Sequence, residues 1–172
     1  MAIIKKKRKE KGFSLLGVII AMFIMIVGMV GILGLLEMSF YSAYSSKMKL
    51  TASGLAQEGI EIVRGIRRRQ SDWDAWYSSI PNSGMNISVQ YNSDCLGCCP
   101  GGSCPSPGSN PKLKINSSGF YQYDSGNESS FTRMITIEKI SSNEIKVISE
   151  VNWQRGSSGH FFRIEDRLWN WK

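Results

Sequence analysis

The strongest constraint in this sequence is an uncharged apolar run from Phe13 to Leu36. The run is 24 residues long, with Lys11 shortly before it and Glu37 directly after it. At a rise of about 1.5 Å per residue, a helix of this length spans about 36 Å, which is enough to cross the roughly 30 Å hydrocarbon core of a bilayer. The sequence therefore predicts one membrane-spanning helix near its N-terminus.

Positive charge is concentrated ahead of this run. Residues 1–12 carry six Lys or Arg and one Glu, which is +5 of the +7 net charge of the chain. Basic segments beside a membrane helix are retained in the cytoplasm. We therefore expect a single-pass protein of the inner or cytoplasmic membrane, with a cytoplasmic N-terminus and its C-terminal domain outside. The remaining charge of +2 gives little reason to expect a nucleic-acid partner.

The junction at the start of the run has a specific pattern, because residues 11–16 read KGFSLL. This pattern resembles the prepilin signature of type IV pilins and pseudopilins. The resemblance implies that a prepilin peptidase cuts between Gly12 and Phe13, that Phe13 is then N-methylated, and that the apolar helix is retained. It also implies other pilin subunits and a pilus assembly platform as partners, and a cell-surface pilus or periplasmic filament as the destination.

One position departs from the pattern of that family. The fifth residue of the mature chain is usually Glu, and here it is Gly17. A carboxylate inside a bilayer is costly, so its usual presence implies a partner, which in the family is the N-terminal amine of a neighbouring subunit. Gly17 cannot form that pair. We interpret the chain as a minor, tip-proximal or priming pilin; the alternative is that Gly17 is a natural or engineered variant in an ordinary minor pilin.

Helical periodicity continues beyond the membrane run. Small or apolar residues recur at three- and four-residue steps, at Ala52, Leu55, Ala56, Gly59, Ile62, Val63 and Ile66. These positions form one face of a helix, and we expect the charged residues Glu58, Glu61, Arg64, Arg67 and Arg68 on its polar side. Residues 55–64 also resemble minor pilins of the pilus-modification type. Arg67–Arg69 suit the C-terminal end of a helix, with a DNA-binding patch as the alternative.

The second half of the chain has the alternation typical of strands. It predicts strands at Met85–Tyr91, Lys112–Asn116, Phe120–Tyr123, Phe131–Ile140, Glu144–Gln154 and Gly159–Trp169. Residues 71–84 and 125–130 are predicted connections, and we expect Trp153, Trp169 and Trp171 to be packed. The short turns between the last three strands indicate an antiparallel meander.

These elements predict an α+β fold, in which a long N-terminal membrane-spanning α-helix packs on an antiparallel β-sheet. The pilin resemblance implies the same fold. The predicted divisions are a leader (1–12), a membrane or filament-core helix (13–36), its continuation (37–69), and an extracytoplasmic β domain (70–172) that contains a Cys-rich loop at 92–111.

All four cysteines, Cys95, Cys98, Cys99 and Cys104, lie in that loop. Outside the cytoplasm, such cysteines are free to form disulfides. Structural zinc sites usually use two well-separated pairs of ligands, and these four thiols are crowded into ten residues. We therefore predict disulfides rather than zinc, with all three pairings of four cysteines left open.

No catalytic constellation is visible in the sequence. His160 is the only histidine, so a metal site built on several histidines is excluded. We predict no enzyme, no cofactor and no metal, and a structural subunit of a type IV pilus or related secretion or uptake filament. Two rival functions remain: a single-span membrane-anchored adhesin or binding domain that is never assembled, and a DNA-uptake pilin.

Overall fold

A computed structural model of the chain describes residues 14–82, 84–97 and 109–171. Two helices come first, α1 (Leu15–Arg69) and α2 (Trp73–Ser79). Six strands follow: β1 (Met85–Ile87), β2 (Lys112–Ile115), β3 (Tyr121–Gln122), β4 (Asn127–Ser141), β5 (Glu144–Arg155) and β6 (Ser158–Trp169). The predicted α+β class, a long N-terminal helix on an antiparallel sheet, is confirmed.

Contacts divide the chain between Ser46 and Lys47 into two units. The first is the N-terminal part of α1, whose described residues form a single helix. The second contains the rest of α1, together with α2 and the whole sheet. The boundaries predicted at residues 12, 36 and 69 concern processing and membrane insertion, and they stay predictions.

In the second unit, β4 is the central strand of the sheet. The order along the sheet is β3-β2-β4-β5-β6, and β1 also pairs with β4. Every pairing is antiparallel, and β5 and β6 run in unbroken register from Glu144 opposite Trp169 to Arg155 opposite Ser158. The predicted meander of the last three strands is therefore confirmed, and β6 forms one edge of the sheet.

The C-terminal part of α1 covers one face of this sheet. Its buried apolar side chains follow the predicted three- and four-residue steps, with Ile60 buried and Ile62 only partly so. Gly59 permits the closest approach, because a Cβ there would lie 2.6 Å from Ile135 Cδ1 and 2.8 Å from Ser149 Oγ. Helix and sheet enclose two clusters of buried side chains, one around Val63 and Ile135 and one around Ala52 and Val151.

The segment predicted as the connection 71–84 contains helix α2. The side chain of Asp72 caps this helix by accepting a hydrogen bond from Asp74 N at 2.9 Å. Trp73 and Trp76 are buried and Tyr77 is partly buried, so the aromatic residues of this helix pack against the core. The helix is only seven residues long, which is too short for a recognisable helical periodicity in the sequence. The N-cap residue Asp72 is the one local feature that indicates a helix here.

The predicted strand Met85–Tyr91 ends early, at Ile87. Gln90 leaves the sheet because its side chain bonds elsewhere: Nε2 donates to Asp124 Oδ2 at 2.8 Å, and Oε1 accepts from Tyr123 N at 3.0 Å. Ser93 Oγ also accepts from Gln90 N at 3.0 Å. Gln90 is therefore buried as a polar anchor, and Tyr91 is exposed rather than packed in the core.

The turn predicted at residues 125–130 is wrong, because β4 already begins at Asn127. Its first residues pair with β2, with Asn127 opposite Ile115. Gly126 has a φ of 122°, and a Cβ there would lie 2.2 Å from Ile115 O. Glycine at this position allows the chain to pass this close to β2. Residues 127–130 are polar, so the sequence shows no apolar alternation that would predict a strand there.

The three C-terminal tryptophans have different environments. Trp153 is buried on β5, as expected. Trp169 and Trp171 are 49% and 59% exposed, so their predicted packing is wrong. Trp169 points to the face of β6 opposite Leu168, because successive residues of a strand alternate between faces.

Candidate functional site

The predicted cleavage and methylation site, Gly12 and Phe13, lies outside the described residues. The described chain begins at Ser14, whose carbonyl accepts a hydrogen bond from Gly17 N at 2.9 Å. Gly17 is exposed, and nothing beyond its own turn of helix lies within 4 Å of the position that its Cβ would occupy. A glutamate would fit there without a clash, so packing within this chain does not select glycine at this position.

The apolar part of α1 presents its side chains outward on all sides. Residues 14–36 are all exposed, large ones such as Phe23 and Leu35 included. Within the part of the chain that the structure describes, α1 is the one helix long and apolar enough to cross a membrane. Soluble monomers rarely expose such a continuous apolar surface, so it requires lipid or other chains around it.

Three glycines lie within this apolar segment, Gly28, Gly31 and Gly34. Beyond the helix's own backbone, no atom lies within 4 Å of the position that a Cβ would take at any of them. Small residues let neighbouring helices approach closely inside a bilayer. These positions are therefore open to a partner helix, although glycine is also common in membrane helices in general.

The consecutive arginines at the end of α1 do not form one basic surface. Arg67 was expected on the polar side, but it is only 2% exposed. Its Nη1 donates to Gln70 O at 3.2 Å, and its guanidinium carbon lies 4.8 Å from the centre of the Trp73 ring. Burial under α2 removes Arg67 from solvent, and the cation–π contact stabilises it there.

The other two arginines have separate partners. Arg68 Nη2 lies 3.8 Å from Glu61 Oε2, and Arg69 Nη2 donates to Ser93 O at 2.9 Å. Arg67 and Arg69 thus bind segments that follow the helix, whereas Arg68 pairs within it. This geometry gives no support to a DNA-binding patch at Arg67–Arg69.

Sequence reasoning missed a buried arginine in the centre of the sheet. Arg133 is fully buried on β4, where Nη1 donates to Leu55 O of α1 at 3.1 Å and Nη2 donates to Val89 O at 2.5 Å. Nη1 also lies 3.4 Å from Glu58 Oε1. Arg133 therefore joins helix, sheet and the segment after β1. Its alternation with apolar residues on β4 is the only sequence signal for its burial.

A second charged contact joins α1 to the edge strand β6. Arg64 Nη2 donates to Asp166 Oδ2 at 2.7 Å, and Arg64 also pairs with Glu61. The hydrogen bond to Asp166 raises the pKa of Arg64 above its usual value, with the nearby carboxylate charges adding to the effect. Asp166 points toward the helix, and an inward-facing charge of this kind discourages further strands from adding at an edge.

Of the four predicted disulfide cysteines, only Cys95 lies among the described residues. Cys95 is disulfide-bonded, and Cys98, Cys99 and Cys104 lie outside the described residues. The pairing of the four cysteines therefore stays a prediction. Cys95 and Leu96 line a cavity of about 360 Å³ together with Ile66 and Trp76, so these two residues lie beside the C-terminal part of α1.

Titratable groups do not gather into a catalytic or metal-binding arrangement in the described residues. Ranges 14–82, 84–97 and 109–171 contain no group of three or more His, Cys, Asp or Glu side chains that could hold a metal ion. His160 instead stacks on Trp153, with 5.6 Å between ring centres. Burial raises the pKa of Tyr121, and the charge of Glu58 adds to the shift; a tyrosine with a raised pKa stays protonated at neutral pH.

Comparison with known protein families identifies a motif in the N-terminal segment. A family model described as the prokaryotic N-terminal methylation motif matches residues 7–33. No curated protein and no solved structure gives a significant match to the chain. The methylation motif, the apolar helix and the antiparallel sheet together define a structural, non-enzymatic class of protein.

The chain is a pilin-like protein that carries the N-terminal methylation motif of type IV pilins, consistent with a subunit of a type IV pilus or secretion filament. The motif implies processing by a prepilin peptidase and assembly with pilins. Together with the apolar helix, it implies membrane anchoring before assembly.

Proposed function

We propose that this protein is a minor pilin, processed between Gly12 and Phe13, that takes a position at or near the tip of a type IV pilus or related filament. The observation that carries the proposal is the exposed apolar surface of residues 14–36, most of which lies within the methylation motif matched at residues 7–33. In the membrane, lipid covers this surface. In a filament, the apolar segments of neighbouring subunits cover it instead, so assembly exchanges lipid contacts for helix contacts.

Gly17 supports the tip position. A subunit inside the shaft needs a partner for the N-terminal amine of its neighbour, and a buried charge without a partner is costly. Gly17 offers no carboxylate, and the surrounding space would accommodate one. A chain with glycine at this position is therefore better suited to the filament tip, where it need not pair with the N-terminal amine of a neighbouring subunit. The orientation that we propose has residues 1–12 in the cytoplasm, as their basic charge favours.

The test is mass spectrometry of the N-terminal peptide from native membranes and from sheared filaments. We expect the chain to begin at methylated Phe13 in both, and to be far less abundant in the filaments than the main subunit. A Gly12→Leu variant should retain its leader. Gly54→Ala, which changes an exposed helical glycine outside the motif with nothing packed within 4 Å, should be processed normally.

Three outcomes would contradict parts of this proposal. A native chain that retains Met1 or Ala2 at its terminus is an anchored domain and not a pilin. A processed chain that is absent from filaments is not an assembled subunit. A processed chain as abundant as the main subunit contradicts the minor, tip-proximal role but leaves filament assembly intact.

A further inference from the structure

A groove of about 560 Å³ lies on the sheet of the second unit, mainly along the face away from α1. The register places Lys112, Thr132, Asn152 and Phe161 side by side across β2, β4, β5 and β6. The apolar residues that pack under α1 occupy the alternate positions of the same strands. This row therefore projects to the outer face, with Thr132 and Asn152 between Lys112 and Phe161.

A missing side chain keeps this groove open. Gly159 lies opposite Gln154 in the register and on the same face of β6 as Phe161. Nothing lies within 4 Å of the position that a Cβ would take at Gly159. Its φ is not positive, so the backbone conformation does not itself require glycine. Its effect is to leave space between Gln154 and Phe161.

The lining of the groove has a distinctive chemistry. Its polar side chains are two carboxamides, two hydroxyls and one ammonium group, with no carboxylate among the described residues that line it: Asn152, Gln154, Ser130, Thr132 and Lys112. Its aromatic side chains are Phe161, Trp153 and His160. Carboxamides and hydroxyls both donate and accept hydrogen bonds. Asn152 Nδ2 already donates to Glu150 Oε1 at 3.0 Å, so its second N–H and its Oδ1 are the groups that would meet a ligand. Phe161 is 66% exposed, so its ring is available for a flat ligand surface.

We propose that this groove binds a pyranose ring of a glycan. Sugar hydroxyls also donate and accept hydrogen bonds, which matches the carboxamides and hydroxyls of the floor. The C–H face of a pyranose is complementary to the electron-rich face of the Phe161 ring. A peptide strand would instead pair with the open main-chain edge of β6, at the side of the groove. The groove floor lies on β4 and β5, whose main chain is paired within the sheet. The volume lies within the range of small-ligand sites.

The test uses the full chain in nanodiscs, because detergents with sugar head groups would compete for the groove. The probe is an array of neutral, N-acetylated and sialylated oligosaccharides, followed by titration of the best-bound oligosaccharide. We expect Phe161→Ala to weaken binding about tenfold or more. We expect Gly159→Leu to abolish it, because the new side chain starts from a Cβ position with nothing within 4 Å and extends into the groove.

The matched control is Phe120→Ala. Phe120 is also an exposed aromatic, 53% accessible, but it stacks on Tyr91 away from the groove, so its loss should leave glycan binding unchanged. Circular dichroism checks that each variant is folded. The proposal is overturned if the native chain binds no oligosaccharide on the array, or if binding survives both groove variants. It is also overturned if a photocrosslinker at position 161 captures a second copy of this chain and no glycan. Because the assay needs no filament, its result is independent of the pilin assignment.

Discussion

Arg133 shows how a single charged side chain can organise the interior of this domain. A buried charge is tolerated only when its hydrogen-bonding groups are compensated. Here the guanidinium donates to Leu55 O and Val89 O and lies beside Glu58, and only its Nε is buried without a hydrogen-bond partner. Tyr123 completes the arrangement on the main chain, because its hydroxyl donates to Arg133 O at 3.0 Å. Three parts of the chain that are distant in sequence thus meet at one residue.

Replacing Arg133 by Leu should destabilise the second unit by about 3–5 kcal/mol, because two carbonyls lose their buried donor and the partly exposed Glu58 loses its ion pair. The measurement is denaturant unfolding of the full chain in detergent, followed by tryptophan fluorescence. Adding Glu58→Gln should recover part of the loss. The control is Arg163→Leu, on the exposed face of β6, which should cost less than about 1 kcal/mol. Equal losses for Arg133→Leu and the control would show that the buried contacts are not needed.

At the scale of elements, strands β5 and β6 carry a row of charged pairs on their outer face. Glu150 accepts from Asn152 Nδ2 at 3.0 Å and from Arg163 Nε at 2.8 Å, and Arg167 donates to Glu144 at 2.9 Å. The hydrogen bond from Asn152 lowers the pKa of Glu150 more than any other contact, Arg163 lowers it further, and partial burial opposes both. These pairs attach the edge strand to its neighbour through side chains.

The lowered pKa of Glu150 predicts a pH-dependent contribution to stability. Because the folded pKa lies below the unfolded value of about 4.3, the contribution is complete above that value and is lost as the pH falls through the folded pKa. The free energy of unfolding of the native chain should therefore exceed that of Glu150→Gln at pH 7, and the difference should shrink at pH 3. In an Asn152→Ala background the pH dependence of this difference should be smaller. A difference that does not change between pH 7 and pH 3 would contradict this assignment.

At the scale of the whole molecule, α1 serves two different environments. Up to Ser46 its side chains are almost all exposed, and from Met48 onward its apolar face is buried against the sheet. The packing of the second unit therefore includes residues of α1 that precede the predicted boundary at residue 69. Ala52, Leu55 and Val63 are among the residues that cover the sheet.

Two truncated chains test this division. A chain that begins at Lys47 should be soluble and folded, because it keeps the whole helical face that covers the sheet and lacks the exposed apolar surface. A chain that begins at Gln70 should fail to fold, because the sheet loses its cover and Arg133 loses its contact with Leu55 O. Amide proton dispersion in NMR spectra distinguishes the two results. A dispersed spectrum from residues 70–172 alone would contradict this view of the packing.

The sequence by itself determined the features that depend on local composition and periodicity. The apolar run specifies the exposed apolar helix, and residues 11–16 lie within the matched methylation motif. Periodicities of 3.6 and 2 residues specify the covering face of α1 and the strands β4, β5 and β6. In each case the polarity of neighbouring residues is enough to predict the element, because lipid and a sheet core both select side chains by their polarity.

Tertiary structure alone decided the features that depend on partners distant in the chain. Gln90 is buried because its side chain forms hydrogen bonds with Tyr123 and Asp124. Residues 127–130 form a strand because β2 lies beside them and pairs with them. Arg67 and Arg133 are charged residues that local rules assign to the surface, yet Trp73 and Leu55 O hold them inside. The groove at Phe161 likewise exists only because four strands align their side chains in one row. A buried polar group is stable only where its partner is present, and the partner's position is a property of the fold.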